Sequence, residues 1–144
     1  SGTENRILNV FLDRWTGTLI GLTVLFVPAL LYGIYRTGTV IYHYETGQKL
    51  LQAEDWEAAR DHYEVVRKLN VTVDLGPIRD RYLSDLATLY LRQGDDAGSR
   101  KAIDVLQSST YNEAEASRKV GDVYARVEKW AQAASAYEGF LKVA

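Results

Sequence analysis

Hydrophobic positions change their rhythm once along this chain. From Trp15 to Tyr35 they run almost without a break: two-thirds of the positions are apolar, none is charged, and Arg14 and Arg36 flank the run. As a helix rising about 1.5 Å per residue, such a run reaches about 31 Å, enough to cross a hydrocarbon core of about 30 Å. Trp15 stands at one end and Tyr32 and Tyr35 at the other, where amphipathic rings suit the two headgroup zones. Thr16, Thr18 and Thr23 can turn their hydroxyls back to the helix's own carbonyls. The pattern predicts a transmembrane helix over residues 15–36, kinked near Pro28, whose ring removes a backbone donor. The run is too long for a cleaved signal peptide, and Tyr32–Arg36 lacks the small residues of a cleavage site.

Ahead of the run, Ile7, Leu8, Phe11 and Trp15 share one helical face while Glu4, Arg6, Asn9 and Asp13 take others. Residues 1–14 read as an amphipathic segment lying at the membrane interface, or as an extension of the spanning helix. Gly17, Gly21, Ala29 and Gly33 fall on one face at multiples of four, and the first two form a GxxxG. Small residues there admit a second helix backbone, so this stripe is the candidate packing face within the membrane. Arg6 and Arg14 precede the span and Arg36 and Lys49 follow it, so basic residues do not orient it and the side of the soluble part stays open.

Beyond Thr37-Gly38-Thr39 the rhythm becomes that of amphipathic helices separated by short polar turns. A repeat underlies them. Gly121, Tyr124, Trp130, Ala133, Tyr137 and Phe140 form one frame. The same offsets from Gly47 give Leu50, Trp56, Ala59, Tyr63 and Val66, and from Ala87 they give Tyr90, Asp96, Ser99, Ile103 and Leu106. Each frame predicts two helices. They run from about Val40 to Gln52 and Asp55 to Leu69, from Ile78 to Arg92 and Asp95 to Ser108, and from Asn112 to Val127 and Lys129 to Val143. The small residues Gly47, Ala87 and Gly121 are expected where paired helices cross closely, opposite Ala59, Ser99 and Ala133. The first two frames stand further apart than the last two. The extra length fits the stretch from Asn70 to Pro77, which ends in a Gly-Pro breaker.

The spacing of the last two frames, about 34 residues, and the G-x2-Y…A-x3-Y pattern resemble the tetratricopeptide repeat (TPR) family from about position 40 to position 144. The family's early Trp is His43, Leu83 and Ser117 here, and its closing Pro is Val71 and Tyr111. The resemblance implies an all-α fold. A transmembrane helix would be followed by three TPR-like helical hairpins, a short α-solenoid, with repeats at about 40–73, 80–113 and 114–144. It also implies a concave groove lined by the first helix of each pair. By repeat phase, Tyr44, Gln48, Leu51, Arg81, Thr88, Arg92, Arg118, Asp122 and Arg126 would face it. Arginine forks suit carboxylates on a partner. Chaperone-binding members of the family hold a terminal carboxylate with Lys and Asn in their first repeat; Tyr44 and Gln48 stand there, so that function is not carried over. Such arrays often end in a capping helix. None follows the third pair in this sequence, so the face of Trp130, Ala134, Tyr137 and Leu141 is expected to be partly open.

Composition narrows the chemistry. Lys and Arg number 17 against 19 Asp and Glu, a net charge of −2, which disfavours nucleic acid as a partner. There is no Cys, and His43 and His62 are the only histidines, so disulfides, thiolate sites and a His-rich metal centre are excluded and no metal or other cofactor is expected. The sequence has no HExxH, GxSxG or Walker-type loop. Adjacent Asp61 and His62 point about 100° apart on a helix, and His62 reads as a solvated surface residue. Asp95-Asp96 reads as a helix start. Asn70-Val71-Thr72 is a glycosylation sequon that matters only in a secretory lumen. These features point away from an enzyme with a small-molecule substrate. The expectation is a single-pass membrane protein that binds other subunits, as a scaffold or accessory subunit of a membrane complex. The alternative is a receptor taking an acidic peptide in the arginine-lined groove.

Overall fold

The computed structural model describes residues 2–69, 77–108, 110 and 112–144. The stretch 70–76, with the sequon and Val71, and Tyr111 lie outside the described residues. Every secondary-structure element in the described residues is helical: α1 (Gly2–Gln52), α2 (Trp56–Leu69), α3 (Pro77–Gln93), α4 (Asp96–Ser108), α5 (Glu113–Arg126) and α6 (Trp130–Val143). The chain divides into two compact units, Ser1–Gly38 and Thr39–Ala144, and α1 contributes to both.

In the first unit residues 2–14 take the second of the two expected forms, an extension of the spanning helix: α1 has no boundary at Arg14 and includes Pro28 within it. Thr16, Thr18 and Thr23 donate to the carbonyls of Leu12, Arg14 and Leu19 at 2.8, 2.9 and 2.8 Å. Each hydroxyl is thereby satisfied without water. Every large apolar side chain from Ile7 to Tyr35 is at least 45 % exposed. This helix is long and apolar enough to cross a membrane.

The second unit is three helix pairs, and the turn within each pair is built alike. Glu54, Gly94 and Glu128 have left-handed backbone, with φ of 61°, 79° and 60°. Their N–H groups bond the carbonyls of Leu51, Leu91 and Ala125, and the next N–H groups bond those of Leu50, Tyr90 and Tyr124. This closes the helix end by satisfying carbonyls that have no intrahelical partner. Glycine takes that conformation freely at Gly94, whereas at Glu54 and Glu128 it costs about 1 kcal/mol. The three turns recur at the same spacings as the small residues Gly47, Ala87 and Gly121. Asp55 and Asp95 then start the second helices, accepting from the N–H groups of Ala58 and Gly98 at 3.3 and 2.9 Å. Lys129 makes no such cap.

The apolar faces enclose two adjoining cores. One gathers Val40, Tyr44, Ala59, Tyr63, Val66, Tyr82, Leu83, Leu86, Leu89 and Leu106. The other holds Ala87, Leu91, Ala102, Ile103, Val120 and Val123. α3 packs against α2, α4 and α5, and α5 against α6. Ala59, Ser99 and Ala133 are buried, but what covers the glycines is a tyrosine ring. A Cβ on Gly47 would lie 3.3 Å from the Tyr63 ring, and one on Gly121 only 2.5 Å from that of Tyr137. The middle pair inverts the arrangement: Gly98 on α4 lies beneath Tyr90 of α3, with 2.9 Å left for a Cβ. A flat ring fits where the opposing backbone has no side chain. On α6, Trp130, Ala134 and Leu141 are exposed and Tyr137 is half-buried.

Candidate functional site

The residues expected along the groove form two polar clusters. The first centres on Asp85 of α3. This carboxylate is buried, and sequence reasoning did not single it out. It accepts from the Tyr63 hydroxyl of α2 at 3.0 Å and from Arg126 Nη1 of α5 at 2.8 Å. Burial first, then the neighbouring carboxylate, pushes the Tyr63 phenol far above its usual range. Gln48 Nε2 donates to the Tyr44 hydroxyl at 3.0 Å. Burial raises the Tyr44 phenol, opposed by a bond from Arg81. Thr88 is buried and turns its hydroxyl back to the Ser84 carbonyl at 2.8 Å, and Leu51 packs against the first core.

Arg92 joins this cluster from its far side. Its guanidinium lies over the Trp56 ring, 4.8 Å from the centroid, and Nη2 donates to the Arg126 carbonyl at 3.1 Å. A cation over an indole is held by the ring's electron-rich face. Trp56, Leu91, Arg92, Arg126, Val127 and Glu128 line a cleft of about 430 Å³. It combines an aromatic wall, two guanidinium groups and one carboxylate.

Arg118 and Asp122 form the second cluster, on α5. Arg118 bonds Glu115 and, at 2.9 Å, Asp122. Asp122 also accepts from the Tyr137 hydroxyl at 2.7 Å. The Arg118 bond holds the Glu115 carboxyl below its usual range, and the Asp122 bond raises the Tyr137 phenol. The arginines expected to offer their charge to a partner therefore spend much of it on the protein's own carboxylates and rings. Further contacts tie the pairs together. Tyr90 donates to Glu64 of α2, and Lys119 pairs with Asp80 of α3. Burial first and the Glu64 bond second push the Tyr90 phenol up to about 12.

In the first unit, a Cβ added at Gly17, Gly21 or Gly33 would meet nothing within 4 Å. These positions and Ala29 leave a smooth strip on α1. His62, expected to be a solvated surface residue, is half-buried and in contact with His43. No group of three or more His, Cys, Asp or Glu suited to a metal occurs among the described residues. No protein-family model matches this sequence, and no curated protein matches it either.

Proposed function

We propose that this chain is a single-pass membrane protein whose unit Thr39–Ala144 is a tetratricopeptide-like scaffold or accessory subunit of a larger membrane complex. It acts by holding other subunits rather than by turnover. The observation that carries the reading is the uniform exposure of the apolar side chains from Ile7 to Tyr35, on a chain whose second unit has a packed core of its own. A core helix of a soluble protein would bury such a run; a helix meant for lipid presents it. The repeat reading is supported by the three alike turns and their spacing. Stacked repeats bury one face on each neighbour and leave extended surface for partners.

The test is extraction and co-purification. The intact chain should sediment with membranes, resist carbonate and carry specific proteins with it in mild detergent. Removing residues 1–38 should release it to the supernatant. Finding the intact chain in the supernatant without detergent would sink the membrane reading.

A second reading rests on the cleft beside Trp56. Its guanidinium groups and indole suit an acidic peptide of a recruited partner. Arg92→Glu reverses one charge at the cleft without touching the Asp85 bonds. Loss of a co-purified protein with unchanged melting would favour this recruiter. An unchanged set of partners, lost instead by Gly21→Ile and Gly33→Ile on the α1 strip, would favour the built-in subunit.

A further inference from the structure

α1 and α2 meet at two imidazoles. His43 Nδ1 and His62 Nδ1 lie 2.8 Å apart, and the ring centroids are 4.9 Å apart at 40°. Tyr42 presents a ring edge to both, at 5.3 and 6.4 Å between centroids. Both histidines are half-buried. Two ring nitrogens make so short a contact only when one carries a proton and the other offers its lone pair. The contact therefore contains one proton. With no third ligand from His, Cys, Asp or Glu among the described residues, a proton suits this pair better than a metal ion.

We propose that His43 and His62 form a proton-sensitive latch on the first helix pair, closed by the proton held between their Nδ1 atoms and opened when both rings are protonated. Once both rings are cationic neither offers a lone pair, and two like charges face each other at the α1–α2 seam. Among the described residues, no carboxylate acts on His43 to absorb that charge. From α1 the pair faces the Tyr42 ring. From α3, Arg81 and Asp85 act on Tyr44 and Tyr63; the charge that acts on His43 is that of His62. Burial first, then the His62 charge, hold His43 below its usual value of 6.5. A histidine whose value is depressed on folding stabilises the fold above its unfolded value. That contribution is lost as pH falls through the folded one, so the latch is closed above about pH 6.5 and opens on acidification.

The test follows the imidazole C–H signals of the full chain in detergent micelles by NMR, from about pH 8 to about pH 5. The two rings should titrate in steps separated by more than about one pH unit. In His62→Gln, His43 should titrate in a single step at higher pH than in the wild type. Amide exchange in the last turns of α1 and in α2 should accelerate by about tenfold or more at about pH 5 relative to α5 and α6, and less in His62→Gln. Two coincident, independent titrations in the wild type overturn the proposal. So does an acceleration that persists undiminished in His62→Gln. Should that variant fail to fold, the wild-type titration decides alone.

Discussion

Gly47 lies beneath Tyr63 in the first helix pair and Gly121 beneath Tyr137 in the last, at the same offset along the chain. Local packing is alike, but the two rings end in different places. Tyr63 is fully buried, and its hydroxyl reaches forward to Asp85 in the next pair. Tyr137 is half-buried, and its hydroxyl returns to Asp122 within its own pair. Tyr90 is a third case, reaching backward to Glu64. What differs is the neighbour. α2 packs against α3 on its other side, whereas the outer face of α6 carries the exposed Trp130 and Leu141. The same residue is a staple between pairs where a neighbour is present and a brace within a pair where none covers it.

Substitutions in the full chain, unfolded by urea in mild detergent, can break or refine that contrast. The largest effect is expected at Asp85. Asp85→Ala leaves the buried Tyr63 hydroxyl without its acceptor and should cost about 2–3 kcal/mol. Asp122→Ala, at a half-exposed site that water reaches, should cost less than about 1 kcal/mol. Equal losses would erase the distinction between staple and brace. Gly121→Ala forces the Tyr137 ring aside and should cost about 1–2 kcal/mol. Gly47→Ala, with 3.3 Å available, should fall within about 0.5 kcal/mol of neutral, since the better helix former offsets the tighter fit. In the turns, Gly94→Ala should lose about 1 kcal/mol, while Glu54→Gly and Glu128→Gly should each gain about 0.5 kcal/mol. Opposite signs there would show that the three turns are not equivalent.

A further effect is one of alkaline pH. A phenol raised on folding keeps its proton longer in the native state, so its contribution is intact below its unfolded value of 10. For Tyr90 it is lost as pH rises from 10 to about 12. Stability should decline across that window, and Tyr90→Phe should flatten the decline. An alkaline decline left unchanged by Tyr90→Phe would contradict the partly buried placement of Tyr90.

The helices were legible because their apolar positions recur with helical period, and their ends because Gly94, Asp55 and Asp95 carry turn and cap chemistry. The seam was misread at one point. Gly47 and Gly121 were expected opposite Ala59 and Ala133, whereas the rings of Tyr63 and Tyr137 cover them, and in the middle pair Tyr90 lies over Gly98. Offset alone does not say which residue of the facing helix fills the space over a glycine. Asp85 was not legible because its partners Tyr63 and Arg126 are 22 and 41 residues away. A single acid in a helix reads as solvent-facing until its neighbours are in place. His43 and His62 were hidden for the same reason, 19 residues apart. The pairing of Arg118 was open to local reading: Glu115 and Asp122 stand one turn to either side of it, where opposite charges meet on a helix.

The stack of Arg92 on Trp56 gives the molecule an optical handle. The three tryptophans are dispersed, with Trp15 in the apolar stretch of α1, Trp56 under a guanidinium at the cleft, and Trp130 on the open face of α6. Replacing Trp15 and Trp130 with Phe leaves one indole whose emission is set by the cation above it. An anionic occupant that draws Arg92 off the ring changes that emission directly. The cleft thus carries its own fluorophore, and its occupancy can be followed in detergent or bilayer without a label.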